Sequence, residues 1–292
     1  MNEFELIDEI VRVLGEAASG GVIGPGDDGA VIEPPPGEVL VSSIDTLVGG
    51  FHFPMAAPGA LVGYRAMMVS LSDLAAMGAR PFQVLVAMTL EEADQTWALE
   101  VAEGMREAVL ETEGRLLGGN LARGSKSLTM SVHGFCPRKY LLTRSGAGVG
   151  DSVYVTGELG AAAAAVALGR LDDPDDPLTR RYFRPRARIE EGIALRCVAT
   201  AAIDVSDGLL QDLDHLCEAS GGIGAELSSA DIPVADGASL DHALHGGDDY
   251  ELLFSARTEP DLDCRMIGTI AADPGIRLDG APVAIKGYQH FL

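Results

Sequence analysis

The stretch GPGDDGAV (24–31), followed by a proline-rich spacer and VSSIDTLVGGFHF (41–53), organises the rest of the chain. It puts Asp27 and Asp28 in a glycine-rich turn and Asp45 at the end of an apolar run, where a strand meets its connecting loop. Carboxylates brought together repel each other by about 4 kcal/mol per pair at about 4 Å and an effective dielectric of roughly 20. The stretch therefore predicts a bound cation, and oxygen ligands select Mg²⁺, Mn²⁺ or Ca²⁺ rather than zinc.

Composition and charge restrict the class of protein. The 292 residues suffice for about two domains, and 47% hydrophobic with 22% charged residues is typical of globular proteins. The net charge of −23, from 44 acidic and 21 basic residues, argues against a nucleic acid or an anionic membrane as partner, because their phosphates would be repelled. A solvated acidic surface explains the same charge equally well.

The cysteines and the N-terminus indicate a cytoplasmic protein. The four cysteines form no CxxC pair, so we expect small core thiols in a reducing compartment. The N-terminal MNEFELIDEI is acidic where a secretory signal would be basic. The longest apolar run, 159–168, is about half as long as a membrane span.

Apolar periodicity predicts two domains, 1–142 and 143–292, separated at the glycine-rich TRSGAGVGD. The first half is predicted as helix 3–18, strand 39–44, a helix from Pro58 to Gly78, strand 81–90, helix 91–114, and strands 115–120 and 127–136. Its β-α-β-α-β-β order indicates a mixed sheet with helices on one face. The second half is predicted as an α/β domain with helices at 158–169 and 187–199, in which AAIDVSDGLL (201–210) is strand, acidic turn and helix start, capped by Ser206 or Asp207.

Two nucleotide-binding motifs are matched only superficially. GPGDDG (24–29) fits GxGxxG, but no strand precedes it and aspartates occupy its variable positions, which excludes a Rossmann site. GNLARGSKS (119–127) resembles a Walker A loop, but Ser125 separates the glycine from the lysine.

Aspartates beside glycines or small residues recur instead, at Asp27, Asp28, Asp45, Asp73, Asp204, Asp207, Asp248 and Asp249. Each alone is explained by turns and caps. Asp73, however, lies on a small-residue helix face that should be buried, where a carboxylate is costly unless it is paired or binds a cation. Together they favour a multi-metal phosphate site.

Eight stretches occur in one order: GDDGAV, SSIDTLVGGFHF, VSLSDLAAMGARP, GGN, LTRSGAGVGD, IDVSDGL, GGDDYELLF and KGYQHF. Over nearly the whole chain they resemble the thiamine-monophosphate kinase family of the aminoimidazole-ribonucleotide-synthetase-like superfamily. The resemblance implies a two-domain α/β (α+β) fold whose N-terminal mixed sheet dimerises and whose C-terminal domain is α/β. It also implies direct transfer of the γ-phosphoryl group of ATP onto thiamine monophosphate, with several Mg²⁺ ions and no phosphoenzyme.

The resemblance also implies the site residues. The metal ligands would be Asp28, Ser43, Asp45, Asp73, Asn120, Asp204 and Asp207. The nucleotide contacts would be Gly119, Asn120, Arg144 and Ser206, and the substrate contacts His52, Asp248 and Tyr288. No catalytic acid, base or nucleophile is expected, because metal ions would clamp the reacting oxygens and the acceptor is already a phosphate.

Three positions depart from the family pattern: Asn120 for a frequent Asp, Ile44 for a usual Thr and Asp248 for a usual Glu. We therefore predict a cytoplasmic, homodimeric phosphotransferase that uses ATP and thiamine monophosphate. The alternatives are a sister enzyme of the superfamily with another phosphoryl acceptor, or a non-catalytic nucleotide- or thiamine-binding protein that would form no ADP.

Overall fold

The computed structural model describes residues 3–19, 32–91 and 94–287. The chain divides into two compact units. The first comprises Met1–Leu74 and Arg80–Arg138, and the second comprises Ala75–Ala79 and Lys139–Leu292. The sequence-based domains 1–142 and 143–292 stay a prediction. In the described part of the chain, no helix combines the length and the hydropathy needed to cross a bilayer.

The first unit is a mixed sheet with helices. Its elements are α1 (Glu3–Leu14), β1 (Glu38–Val48), α2 (Gly59–Ala76), β2 (Arg80–Leu90), α3 (Gln95–Thr112), β3 (Leu116–Arg123) and β4 (Ser127–Pro137). The sheet order is β1-β4-β2-β3, with β4 antiparallel to both neighbours and β2 parallel to β3. On β4, Leu128, Met130 and Val132 are buried while the residues between them are partly exposed, as a sheet covered on one face requires. The predicted mixed sheet is confirmed.

Glycines allow α2 and α3 to pack closely. A Cβ atom on Gly63 would lie 2.1 Å from the carbonyl oxygen of Val101, and one on Gly104 would lie 1.9 Å from that of Ala60. No side chain tolerates such contacts with backbone, so the helix separation depends on these glycines. The close packing fixes α2, which carries Asp73.

The second unit is built on a seven-stranded sheet in the order β11-β10-β7-β9-β5-β8-β6. Its strands are β5 (Ser152–Thr156), β6 (Ala199–Asp204), β7 (Gly224–Leu227), β8 (Leu252–Ala256), β9 (Cys264–Ala271), β10 (Gly275–Leu278) and β11 (Ala281–Pro282). Its helices are α4 (Ala161–Ala167), α5 (Pro177–Phe183), α6 (Ile189–Ala194), α7 (Leu209–Ala219) and α8 (Leu240–His245). Val155, Ile203, Leu213 and Leu253 lie in one buried core between the sheet and α7. The predicted α/β architecture of this half is confirmed.

Three local expectations were wrong. The sequence analysis missed α5, which begins because Asp176 accepts the N–H groups of Leu178 and Thr179 at 2.9 and 3.2 Å. The helix expected over 187–199 is only the short α6, because the chain enters β6 instead. Neither Ser206 nor Asp207 caps α7, whose N-cap is Gly208.

We predict that Gly104→Ala destabilises the protein although alanine favours a helix by about 1 kcal/mol over glycine. The new Cβ would meet the Ala60 carbonyl, so α2 and α3 must separate, at a net cost of about 1–3 kcal/mol. Urea unfolding measures this change. The control is Gly114→Ala, where the nearest atom would be 3.7 Å away; equal effects of both changes would contradict the prediction.

Candidate active site

The first unit brings three predicted metal ligands together between β1 and α2. Ser43 and Asp45 lie two residues apart on β1 and therefore point to the same face of the sheet. Their partners on β4, Val132 and Met130, are buried, so this is the covered face. From α2, Asp73 reaches the same place and accepts a hydrogen bond from the Ser43 hydroxyl at Oδ2.

The charge of Asp73 disfavours the charged form of Asp45. Burial and, to a smaller extent, the charge of Asp73 raise the pKa of the Asp45 carboxyl to about 6, although a hydrogen bond from the Ser70 side chain opposes the shift. The donors are all oxygens, which suits a hard cation such as Mg²⁺. A cation here would relieve the repulsion.

His52 lies in the turn after β1, and hydrogen bonds with backbone groups set the orientation of its ring. Its Nδ1 accepts the N–H of Val48 at 3.0 Å, and its own N–H donates to the Val48 carbonyl at 2.9 Å. A neutral imidazole that accepts at Nδ1 carries its proton on Nε2. His52 therefore presents an Nε2–H donor. The turn is anchored by Phe53, which stacks on Trp97 with ring centroids 6.3 Å apart.

Gly119 and Asn120 lie on β3, opposite Val86 and Ala87 of β2. A Cβ on Gly119 would lie 2.1 Å from the Val86 carbonyl oxygen, so this position requires glycine. Asn120 is exposed. A glycine that allows close backbone approach beside an exposed amide is suitable for a nucleotide contact, the role predicted for both residues.

In the second unit, two predicted site loops lie side by side. The N–H of Asp248 donates to the Ser206 carbonyl at 2.9 Å, and that of Tyr250 donates to the Val205 carbonyl at 2.8 Å. These bonds extend the antiparallel pairing of β6 with β8, in which Asp204 lies opposite Leu252. The loop after β6, with Asp204, Ser206 and Asp207, is therefore held against the loop that carries Asp248.

Asp212 was missed by the sequence analysis, although it shapes the turn that carries Asp207. Its Oδ2 accepts the N–H groups of Ser206, Asp207 and Gly208 at 3.0, 3.1 and 3.1 Å. Burial raises the pKa of Asp212 to about 7, and the three donors oppose the rise. The only sequence feature that could have indicated this role is the position of Asp212, four residues after an Asp-Gly turn.

The loop of Arg144 is anchored at the end of α7. Ser220 Oγ accepts the N–H groups of Gly146 and Ala147 at 3.2 and 3.1 Å and donates to the Arg144 carbonyl at 3.3 Å. The Arg144 side chain is exposed. A fixed backbone with an exposed guanidinium is suitable for contacting a phosphate.

A small cleft in the second unit adjoins Asp248. Arg181, Arg184 and Arg186 line it together with Asp248 and Asp249. Both oxygens of Asp249 lie 2.9 Å from the N–H of Gly160, and burial raises the pKa of Asp249 well above its usual value. None of the three arginines was a predicted site residue.

The described residues of the predicted site are distributed over both units. Asp28 and Tyr288 lie outside the described residues. Within residues 3–19, 32–91 and 94–287, the structure holds no group of three or more His, Cys, Asp or Glu placed to bind a metal ion. The full metal-ligand set therefore stays a prediction.

The fold and these loops define a protein of the AIR synthase class, and the family described as "AIR synthase related protein, N-terminal domain" matches residues 26–136. Thiamine-monophosphate kinase of Escherichia coli strain K12 is 40% identical over 302 residues, covering 92% of each chain. The chain belongs to the thiamine-monophosphate kinase family, as its sequence predicted.

Solved structures agree with this assignment. The crystal structure of thiamine-monophosphate kinase from Stenotrophomonas maltophilia K279a has a TM-score of 0.88 and 35% identity, covering 97% of this chain and 98% of that chain. The structure of AaThiL complexed with AMPPCP and TMP has a TM-score of 0.82 and 32% identity, covering 99% of this chain and 97% of that chain.

We predict that Asp73→Asn stabilises the metal-free protein, raising Tm in EDTA by about 3 °C at about pH 7.5, because it removes the charge beside Asp45. The raised pKa of Asp45 means that stability is lost as the pH rises from about 4 through about 6. The gain should therefore shrink at about pH 4.5, where Asp45 is protonated. Calorimetry at both pH values measures it.

The control for this change is Asp172→Asn, at an exposed loop aspartate. It should leave Tm within about 1 °C at both pH values. A loss of stability in Asp73→Asn at neutral pH would contradict the assigned repulsion.

Proposed function

We propose that this chain is an enzyme that transfers the γ-phosphoryl group of ATP onto thiamine monophosphate and forms thiamine diphosphate. Membership in the thiamine-monophosphate kinase family over 92% of the chain carries this proposal. Its support is the similar fold of AaThiL, a relative complexed with AMPPCP, an analogue of ATP, and with TMP. The substrates of this chain are therefore ATP and thiamine monophosphate.

Magnesium is proposed as the cofactor because the residues of the first unit fit it. Ser43, Asp45 and Asp73 converge with oxygen donors only, and a cation would offset the charge of Asp73 that helps to raise the pKa of Asp45. These residues, with Asp28, Asn120, Asp204 and Asp207, would hold several Mg²⁺ ions. Bound Mg²⁺ would neutralise phosphate charge and fix the in-line geometry of transfer.

The chain's own residues bind and orient the two substrates. Gly119, Asn120, Arg144 and Ser206 contact the nucleotide, and the Arg144 guanidinium faces its phosphates. His52 donates its Nε2–H to the acceptor. No strong base is required, because the acceptor phosphate has a second pKa of about 6 and is already an anionic nucleophile at neutral pH.

Asp248 and Tyr288 are proposed to bind the thiamine portion. Thiamine carries a cationic ring, and the Asp248 carboxylate supplies the opposite charge. Glutamate would reach one methylene further, so Asp248 requires a closer approach of the ring. The neighbouring loop holds Ser206, so acceptor and nucleotide contacts share one rigid support.

We further propose a cytoplasmic homodimer joined through the first unit, with no nucleic acid or membrane as partner. Leu40 and Ile44 project from the open face of the sheet with 48% and 65% of their surface exposed. Exposed apolar side chains on a sheet face are typical of protein interfaces. The charge of −23 disfavours phosphate polymers.

The test is ADP release from ATP and Mg²⁺, with thiamine monophosphate and thiamine compared as acceptors and thiamine diphosphate identified as the product. We expect thiamine diphosphate from the monophosphate only. ATP binding without turnover would refute the proposed reaction and favour a non-catalytic binding protein. ADP formed only with another phosphoryl acceptor would identify a sister enzyme of the superfamily.

We predict that His52→Asn raises the KM for thiamine monophosphate about tenfold and leaves the KM for ATP unchanged. The asparagine side chain can still accept the Val48 N–H in place of Nδ1 but has no donor at the position of Nε2. Steady-state kinetics with each substrate varied in turn measures both constants. An equal rise for both substrates would contradict an acceptor contact.

A further inference from the structure

The segment HGGDDYE (245–251) holds two residues in an unusual backbone conformation. Asp248 has a φ of 70° and Tyr250 a φ of 54°. The left-handed region is unfavourable for residues with a Cβ atom, and a bulky side chain there is a genuine outlier. Such strain persists only where the surrounding structure imposes it, and it concentrates at functional sites.

The surroundings of this segment impose its conformation from both sides. On one side are the backbone bonds from Asp248 and Tyr250 to the loop after β6. On the other side, Arg188 donates two hydrogen bonds to Glu251, from Nε to Oε2 at 2.6 Å and from Nη2 to Oε1 at 2.7 Å. The Thr156 hydroxyl adds a third bond to Glu251 at 2.6 Å. The Glu251 side chain is 5% exposed, so this ion pair is little screened by water.

The strained conformation has one clear consequence for side chains. It brings the Tyr250 hydroxyl within 2.9 Å of Asp248 Oδ1, to which it donates a hydrogen bond. The two residues are only two positions apart, and in an extended strand their side chains would run parallel without this contact. The bond fixes the direction in which the Asp248 carboxylate points.

We propose that Tyr250 is a positioning residue for acceptor binding, whose hydroxyl holds the Asp248 carboxylate in the direction that meets the cationic ring of thiamine monophosphate. The role rests on the proposed function, which assigns Asp248 to the acceptor. The aspartate side chain is short, so it has little freedom to adjust to the ring by itself. Tyr250 acts through Asp248 and does not touch the substrate.

The direct test is Tyr250→Phe, which removes one hydroxyl and keeps the ring. We expect the KM for thiamine monophosphate to rise about fivefold, with kcat, the KM for ATP and Tm almost unchanged. The matched control is Tyr64→Phe. Tyr64 also donates to a carboxylate, Glu111 Oε2 at 2.7 Å, but between α2 and α3 of the first unit. The control should leave both KM values unchanged.

A double-mutant cycle tests whether Tyr250 acts through Asp248. In an Asp248→Ala background, Tyr250→Phe should produce no further rise in the KM for thiamine monophosphate. Independent, multiplicative effects would overturn the positioning role. So would an unchanged KM for thiamine monophosphate in the single variant, or an equal rise in the KM for ATP.

Assays of the wild-type chain distinguish a failure of the proposed function from a failure of the role of Tyr250 alone. If it forms no thiamine diphosphate from thiamine monophosphate, the proposed function fails and the role of Tyr250 fails with it. If it forms the product and Tyr250→Phe does so with the same KM, only the role of Tyr250 is overturned.

Discussion

Like charges held close together in a partly buried space are the constraint on which the candidate site depends. Asp45 and Asp73 come from a strand and a helix that are packed by the rest of the first unit, so they cannot move apart freely. Glycine contacts between α2 and α3 fix one side of this arrangement, and the pairing of β1 with β4 fixes the other. The fold thereby retains an electrostatic cost that a bound cation would remove, which is how a metal site is prepared in advance.

The buried carboxylates of the second unit differ from Asp45 and Asp73 in their hydrogen-bond partners. Asp212 accepts three backbone N–H groups, and Glu251 is paired with Arg188 and bonded to Thr156. These hydrogen bonds offset part of the lost hydration, and through them both carboxylates hold the neighbouring backbone and side chains in place. They flank the residues predicted to bind substrate, metal and nucleotide.

Much of the site was readable from the sequence because its residues lie in short motifs. Asp45 and Asp204 lie at or near predicted strand ends, so the local pattern singled them out, whereas Ser43 and Ser206 were implied as site residues only by the resemblance to the family. Asp212, Tyr250 and the arginines of the cleft were not proposed. Asp212 acts through contacts with backbone N–H groups, and Tyr250 meets Asp248 in a left-handed backbone conformation; no spacing rule predicts either. The capping of α7 was predicted wrongly because the helix begins only after Gly208, and Asp212 of its first turn accepts the N–H groups of Ser206, Asp207 and Gly208.

The sequence by itself determined the family and the order of elements in the first half, because these depend on motif order and hydrophobic periodicity. Only the tertiary structure decided that Asp73 meets Ser43 and that the loop of Asp248 lies on the loop of Ser206. The members of these two pairs lie 30 and 42 positions apart, a separation that the chain can span in many conformations. One conformation is selected by the burial of the two hydrophobic cores, which sets strand register and helix position only when the whole chain packs.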